Sequence, residues 1–161
     1  MRKFAVTFAV ASVLLILGAA PVSAVSSADA GIQARIDEVL AEFPGGTQIS
    51  ATTVSWDGGA ILLTFPSPNT RAIGSCATGS YCAYSSTNFS GTRLAFTGCS
   101  ADGTANSLAP LGAAARSVAN ARTSGTVRAM NGTSVVHTLS ANTGVSVNAS
   151  ALTNLSCTTG S

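Results

Sequence analysis

The sequence predicts an all-β sandwich preceded by a short helix and a β-hairpin, on three observations. Beyond residue 75 the chain breaks into short β-prone segments, "YCAY", "RLAF", "GTVRAM", "SVVHTL" and "VSVNA", separated by turn residues. That spacing suits a sandwich. Upstream, one segment has helical periodicity, and the next has a strand pattern around Asp-Gly. Four cysteines, all at or beyond residue 76 of the 161-residue chain, suit a small domain stapled by disulfides.

Residues 1–24 read as a secretory signal peptide. Arg2 and Lys3 precede the apolar run 4–17, and Val22 and Ala24 occupy the −3 and −1 positions of a cleavage site. The apolar run is short of the ~20 residues that span a bilayer. Cleavage after Ala30, in "ADA", is the alternative. No second run of spanning length follows. The product is therefore expected to be secreted or extracellular, free of the membrane after cleavage, and monomeric. About 130 residues remain, enough for one modest domain with a small extra element.

Charge excludes one class of partner. No lysine follows the leader, and Arg35, Arg71, Arg93, Arg116, Arg122 and Arg128 are dispersed among Asp37, Glu38, Glu42, Asp57 and Asp102. Nucleic acid binding needs a clustered cationic surface, so no nucleic acid partner is expected.

The elements follow in order. In "GIQARIDEVLAEFPGG", Ile32, Ile36, Val39, Leu40 and Phe43 form one apolar stripe, and Pro44 with two glycines ends the helix. Its polar face is net acidic, which suits docking on its own domain and not on anionic lipid. In "TQISATTVSWDGGAILLTFP", Ile49, Val54 and Trp56 precede an Asp57-Gly58 turn, and Ile61 to Phe65 follow it. Asp-Gly favours a hairpin whose central residues take positive φ. Trp56 is expected to anchor packing. Residues 31–66 thus form a helix-plus-hairpin extension, 67–75 a linker, and 76–161 the main domain. Within that domain "LAPLGAAARSVANA" allows either a short helix after Pro110 or an irregular crossing.

The stretch "SCATGSYCAYSSTNFSG", residues 75–91, carries the most information. Zinc knuckles require closely spaced ligands, whereas Cys76 and Cys82 are separated by five residues and His137 is the one histidine. A redox Cys-x-x-Cys is absent. Four cysteines permit three pairings. Cys76 and Cys82 can close a small loop around Thr78-Gly79, leaving Cys99 for Cys157. Chain-entropy arguments give about 2.4 kcal/mol for the short loop and about 4.2 kcal/mol for the long one. Both read as scaffold.

Tyr84, Phe89 and Gly91 complete an aromatic-x4-aromatic-x-Gly pattern. It resembles the signature of a βγ-crystallin Greek-key motif, in which the aromatics stack at a hairpin corner and the glycine takes an unusual φ. With Cys76, Gly79, Cys82 and Arg93 added, the chain resembles the βγ-crystallin-like peptidase inhibitors secreted by actinobacteria. Their type member is the Streptomyces metalloproteinase inhibitor. "LAFTGC" resembles the end of that family's first Greek key, and "ARSVAN", with Ser117, Val118 and Asn120, the start of its second. The 43–66 segment resembles the N-terminal extension of several members. The resemblance implies a βγ-crystallin-like Greek-key sandwich that inhibits an extracellular peptidase, a metallopeptidase above all. The implied alternative is a non-inhibitory secreted structural or binding module of the same fold. The type inhibitor binds through a second-half loop with its own short disulfide. This chain lacks such a pair there. The equivalent position is 128–138, "RAMNGTSVVHT", giving Arg128, Met130, Asn131, Val135 and Val136 as candidate reactive-loop residues.

Catalytic residues are not expected. A triad would have to combine His137 with Asp57 or Asp102 and an arbitrary serine, and no Gly-x-Ser-x-Gly elbow exists. His137 reads as a strand residue with an exposed ring. No cofactor is expected. Calcium is the one candidate, because many βγ-crystallin domains bind it through paired Asn/Asp and Ser/Thr oxygens. The closest segment, Asn120-Ala121-Arg122-Thr123-Ser124, lacks the second acidic or amide residue and carries an arginine.

Overall fold

The structure, a computed structural model, describes residues 27–66, 76–99, 102–147 and 152–159. The signal peptide expected at 1–24 and the linker at 67–75 lie outside the described residues.

Helix α1 spans Ser27–Glu42, starting earlier than the apolar stripe alone implies. Asp29 lies in its first turn, where a carboxylate complements the helix dipole. Ile36 and Val39 are buried, and Ile32, Leu40 and Phe43 pack against the same core. The last turn closes with Phe43 N–H donating to the Val39 carbonyl at 2.8 Å. Pro44 and Gly45, at φ +90°, then turn the chain away.

The stretch expected to supply one hairpin supplies three strands: β1 (Thr47–Ser50), β2 (Thr53–Trp56) and β3 (Ile61–Thr64). Ile49 and Val54 therefore do not share a strand. The chain reverses at Ala51-Thr52, where Ser50 Oγ accepts the Thr52 N–H at 3.2 Å. Such local side-chain bonds offer the backbone a turn in place of continued extension. The second reversal is the Asp57-Gly58 turn, with φ of 50° and 63°. Trp56 pairs with Ile61 across it.

The rest is two antiparallel sheets. β4 (Tyr81–Ser86), β5 (Ser90–Phe96), β7 (Ser117–Asn120) and β10 (Thr143–Ser146) extend the first hairpins into a seven-stranded sheet, in the order β1-β2-β3-β5-β4-β7-β10. β6 (Ala105–Ser107), β11 (Asn154–Thr158), β8 (Thr126–Asn131) and β9 (Ser134–Leu139) form the second sheet in that order. Because β3 pairs with β5, the 31–66 segment shares its sheet with the 76–161 region. The fold is all-β, with one helix among the described residues.

Register explains the core. Val54, Leu63, Leu94, Ala83 and Val118 are successive cross-strand neighbours, all fully buried, forming one apolar row across the large sheet. The small sheet faces it with Val127, Ala129, Leu139, Leu155 and Cys157. The ambiguous segment after Leu108 makes a single 3-10 turn, Ala109–Leu111, ended by Gly112 at φ 65°. It then extends into β7. The segment thus combines a short helical turn around Pro110 with an irregular crossing over 112–116 from the small sheet to the large one, where Ser117–Asn120 pairs with β4 on one side and β10 on the other.

Candidate functional site

Successive strand residues face opposite sides of a sheet, so Cys82 and Tyr84 point away from the main core. With Ala95 they form a second, smaller buried cluster, against which Leu62, Cys76, Phe89 and Ala119 pack. Cys76 is bonded to Cys82, and Cys99 to Cys157. The short loop turns at Gly79, φ +88°. It is tied to the end of β7 by Gly79 N–H to the Ala121 carbonyl and Ala121 N–H to the Ser80 carbonyl, both 3.0 Å. Arg122 Nη1 adds a bond to the Gly79 carbonyl at 3.1 Å.

The aromatic corner completes this outer layer. Tyr84 and Phe89 meet edge to face, with centroids 5.8 Å apart and planes at 79°. Gly91 has φ +80°, and a Cβ there would meet Ser85 Oγ at 2.5 Å, so glycine is required. Asn88 and Phe89 both have positive φ, 56° and 55°, uncommon for a bulky aromatic residue. The Asn88 N–H donates to Ser146 Oγ at 3.3 Å, and Phe89 is held by Ser117. Its buried hydroxyl accepts the Phe89 N–H at 3.0 Å and donates to the Ser86 carbonyl at 2.7 Å. The Phe89 ring then lies over β10 at Gly144, where a Cβ would come within 2.7 Å of two ring carbons. Burial raises the Tyr84 phenol above its ordinary pKa, partly countered by Arg93. The cysteine-aromatic stretch is scaffold for the large sheet.

The five candidate reactive residues lie together, although on a hairpin and not on a loop. β8 and β9 pair from Val127↔Leu139 to Asn131↔Ser134, leaving Gly132 and Thr133 as the turn. Gly132 adopts φ 57°. Met130 and Val135 are cross-strand partners, and Arg128 lies two residues from Met130 on the same strand face. The register slips between Val135 and His137, leaving Val136 half-buried outside the pairing. Arg128 and Asn131 are exposed. Val135 is 49% exposed, one of two exposed large hydrophobic residues among those described. The sequence showed a valine in a strand pattern but gave no sign of which face it takes.

This hairpin is held without a disulfide of its own. Gly132 N–H donates to Thr153 Oγ1 at 2.8 Å, and Thr153 N–H donates to the Met130 carbonyl at 2.9 Å. β8 also pairs along β11, where Cys157 lies opposite Val127. The Cys99–Cys157 bridge therefore fixes the strand that carries β8. Thr153 was not singled out by the sequence, since its role depends on pairing with a distant strand.

The remaining candidates are dispersed. His137 lies opposite Ala129 in β9 and is half-buried, which corrects the expectation of an exposed ring. Asp57 sits in the β2–β3 turn, and Asp102 is exposed before β6. Hydrogen bonds from Thr104 lower the Asp102 pKa. Asn120, the leading residue of the calcium-like segment, is buried. Its amide nitrogen donates to the Leu139 and Gly125 carbonyls at 3.2 and 3.4 Å, and its oxygen accepts the Arg122 N–H at 3.2 Å. Those bonds commit the amide to the fold. Among the described residues, no three His, Cys, Asp or Glu side chains group as metal ligands, and no helix is long and apolar enough to cross a membrane.

Residues 69–136 match the model of Peptidase inhibitor family I36. The match is to the family that the cysteine-aromatic stretch resembles, and the I36 family is one of peptidase inhibitors, which act by binding an enzyme and not by catalysis. No curated protein and no solved structure matches the chain. The I36 span takes in both partners of the short disulfide, the aromatic corner, β7, β8 and the first residues of β9. It therefore includes the hairpin turn with Met130 and Val135. The helix, β1 to β3, β10 and β11 lie outside it.

Proposed function

We propose that this I36 protein is a secreted, monomeric inhibitor of an extracellular peptidase, with a metallopeptidase as the target class. In this reading the sheets keep the family's Greek-key order, no cofactor takes part, and the β8–β9 hairpin enters or covers the enzyme's cleft. One observation carries the proposal. The hairpin presents exposed Val135 beside Met130 on a backbone pinned by Thr153 and backed by the Cys99–Cys157 bridge. A rigid apolar anchor of this kind loses little conformational entropy on binding.

The tightness of the turn favours a second reading. Two residues between paired strands project less than an extended loop, which suits a non-inhibitory structural or binding module. Titrating the purified mature protein against thermolysin, with subtilisin for comparison, separates the readings. Stoichiometric loss of thermolysin activity at sub-micromolar concentration is expected. A folded, fully disulfide-bonded protein that inhibits neither enzyme would sink the inhibitor reading.

A further inference from the structure

A cleft of about 400 Å³ opens beside the β6 edge, three strand positions away from β9 across the small sheet. The helix end, the β2–β3 hairpin and β6 enclose it. Phe43, Trp56, Ile61 and Phe96 give it an apolar lining. Trp56 is fixed in place: its indole N–H donates to the Phe43 carbonyl at 3.0 Å, and its ring rests on Gly46, where a Cβ would meet Nε1 at 2.6 Å. With that N–H used, Trp56 offers the cleft its ring and no donor. The amide nitrogen of Asn106 is likewise engaged, donating to the Tyr81 hydroxyl at 2.7 Å.

Among the described residues, the charge around the cleft is of one sign: Glu42 and Asp57 are both exposed and both line it, and no described basic side chain does. Among the described residues no cation pairs with either carboxylate. Glu42 also sits in the last turn of α1, which contains no basic residue. The helix dipole places partial negative charge at that end, so a carboxylate there is unfavourable until a cation arrives. Two carboxylates, a helix C-terminus and an aromatic lining suit a cation with a flat apolar body. A guanidinium fits these terms better than an ammonium, since it stacks on rings and is more weakly hydrated.

The edge strand identifies the bearer of that cation. β6 is the outer strand of its sheet and lends Asn106 and Ser107 to the cleft wall. An extended chain laid along this edge gains backbone hydrogen bonds while one side chain enters the cleft, a recurring mode of peptide recognition. We infer that the cleft between the α1 C-terminus, the β2–β3 hairpin and β6 is a second binding site, which takes an arginine side chain from an extended segment of a partner polypeptide.

Trp56 is the only tryptophan, so its fluorescence in the mature protein reports on the cleft alone. The probes are acetyl-Ser-Thr-Arg-Thr-Ser-amide, the same peptide with neutral citrulline for arginine, and acetyl-arginine amide. A saturable signal with the arginine peptide is expected, with the citrulline peptide and acetyl-arginine amide each weaker by roughly tenfold or more. A Glu42→Gln, Asp57→Asn variant with an unchanged unfolding midpoint should bind the arginine peptide roughly tenfold more weakly. Asparagine tolerates the left-handed backbone at position 57. No saturable signal at millimolar arginine peptide, or equal binding of the citrulline peptide, overturns the site. Undiminished binding by the folded double variant overturns the role given to the carboxylates. Equal binding of acetyl-arginine amide overturns the polypeptide as the occupant.

Discussion

Replacing Ser117 with alanine should cost far more than the loss of one oxygen atom suggests. The hydroxyl is fully buried, accepts the Phe89 N–H at 3.0 Å and donates to the Ser86 carbonyl at 2.7 Å. Alanine leaves both backbone groups without that partner beneath an aromatic ring. An orphaned buried polar group costs about 1–3 kcal/mol, so two give about 2–6 kcal/mol. The upper half of that range applies if Phe89, at φ 55°, keeps its position; the lower half applies if the corner relaxes and admits water. Against a total stability of about 5–15 kcal/mol, the loss should lower the thermal midpoint by roughly 10 °C or more. The assay is urea unfolding with the disulfides intact, with Ser90→Ala as the control. Ser90 Oγ donates to the Thr87 carbonyl at 2.7 Å, but in an exposed setting, and its loss should stay within about 0.5 kcal/mol. If Ser117→Ala proves no more harmful than Ser90→Ala, the hydroxyl does not hold the corner and the reasoning fails.

The two bridges should differ in worth. Replacing Cys99 and Cys157 with alanine should cost about 4.2 kcal/mol from loop entropy against about 2.4 kcal/mol for Cys76 and Cys82, with a further loss because Cys157 lies in the main core; chemical denaturation of the two double variants would show the reverse order if entropy does not dominate. Burial raises the pKa of both Tyr81 and Tyr84, opposed at Tyr81 by the Asn106 hydrogen bond and at Tyr84 by Arg93. The folded state thus holds these protons more tightly than the unfolded chain. The resulting stability is complete below the unfolded value of about 10 and is lost as pH climbs through the folded values. Tyrosinate absorbance should rise late for two groups, and stability should fall above pH ~10; two tyrosines titrating at the ordinary value would contradict the burial.

Local chemistry made some parts of the fold legible. The helix stripe, Pro44, and the Asp57-Gly58 turn with both φ positive depend on neighbours within a few residues. The Cys82-x-Tyr84 alternation and Gly91 likewise carry their geometry in their spacing, which is why the corner could be read before its packing. Long-range pairing hid the rest. β6 and β11 are short and polar, and they form because each finds a partner far along the chain. β7 looked ambiguous because its residues satisfy the sheet from both sides without a strong strand pattern of their own. The split of β1 from β2 turned on one serine hydroxyl. At the candidate site, the sequence placed Met130 and Val135 in the right stretch. Their shared exposure and the pin at Thr153 follow from the β8–β9 register and from a strand more than twenty residues away.

The central claim is that the β8–β9 hairpin meets the peptidase. Its most direct test is the inhibition constant against thermolysin for the wild-type protein and for Val135→Asp, with urea unfolding confirming that the variant is folded. Val135 is exposed, so the substitution should leave stability within about 0.5 kcal/mol. Desolvating an unpaired carboxylate at the contact should weaken inhibition by about 2 kcal/mol or more, roughly 30-fold. A folded Val135→Asp protein that inhibits as tightly as the wild type would place the contact elsewhere and contradict the account.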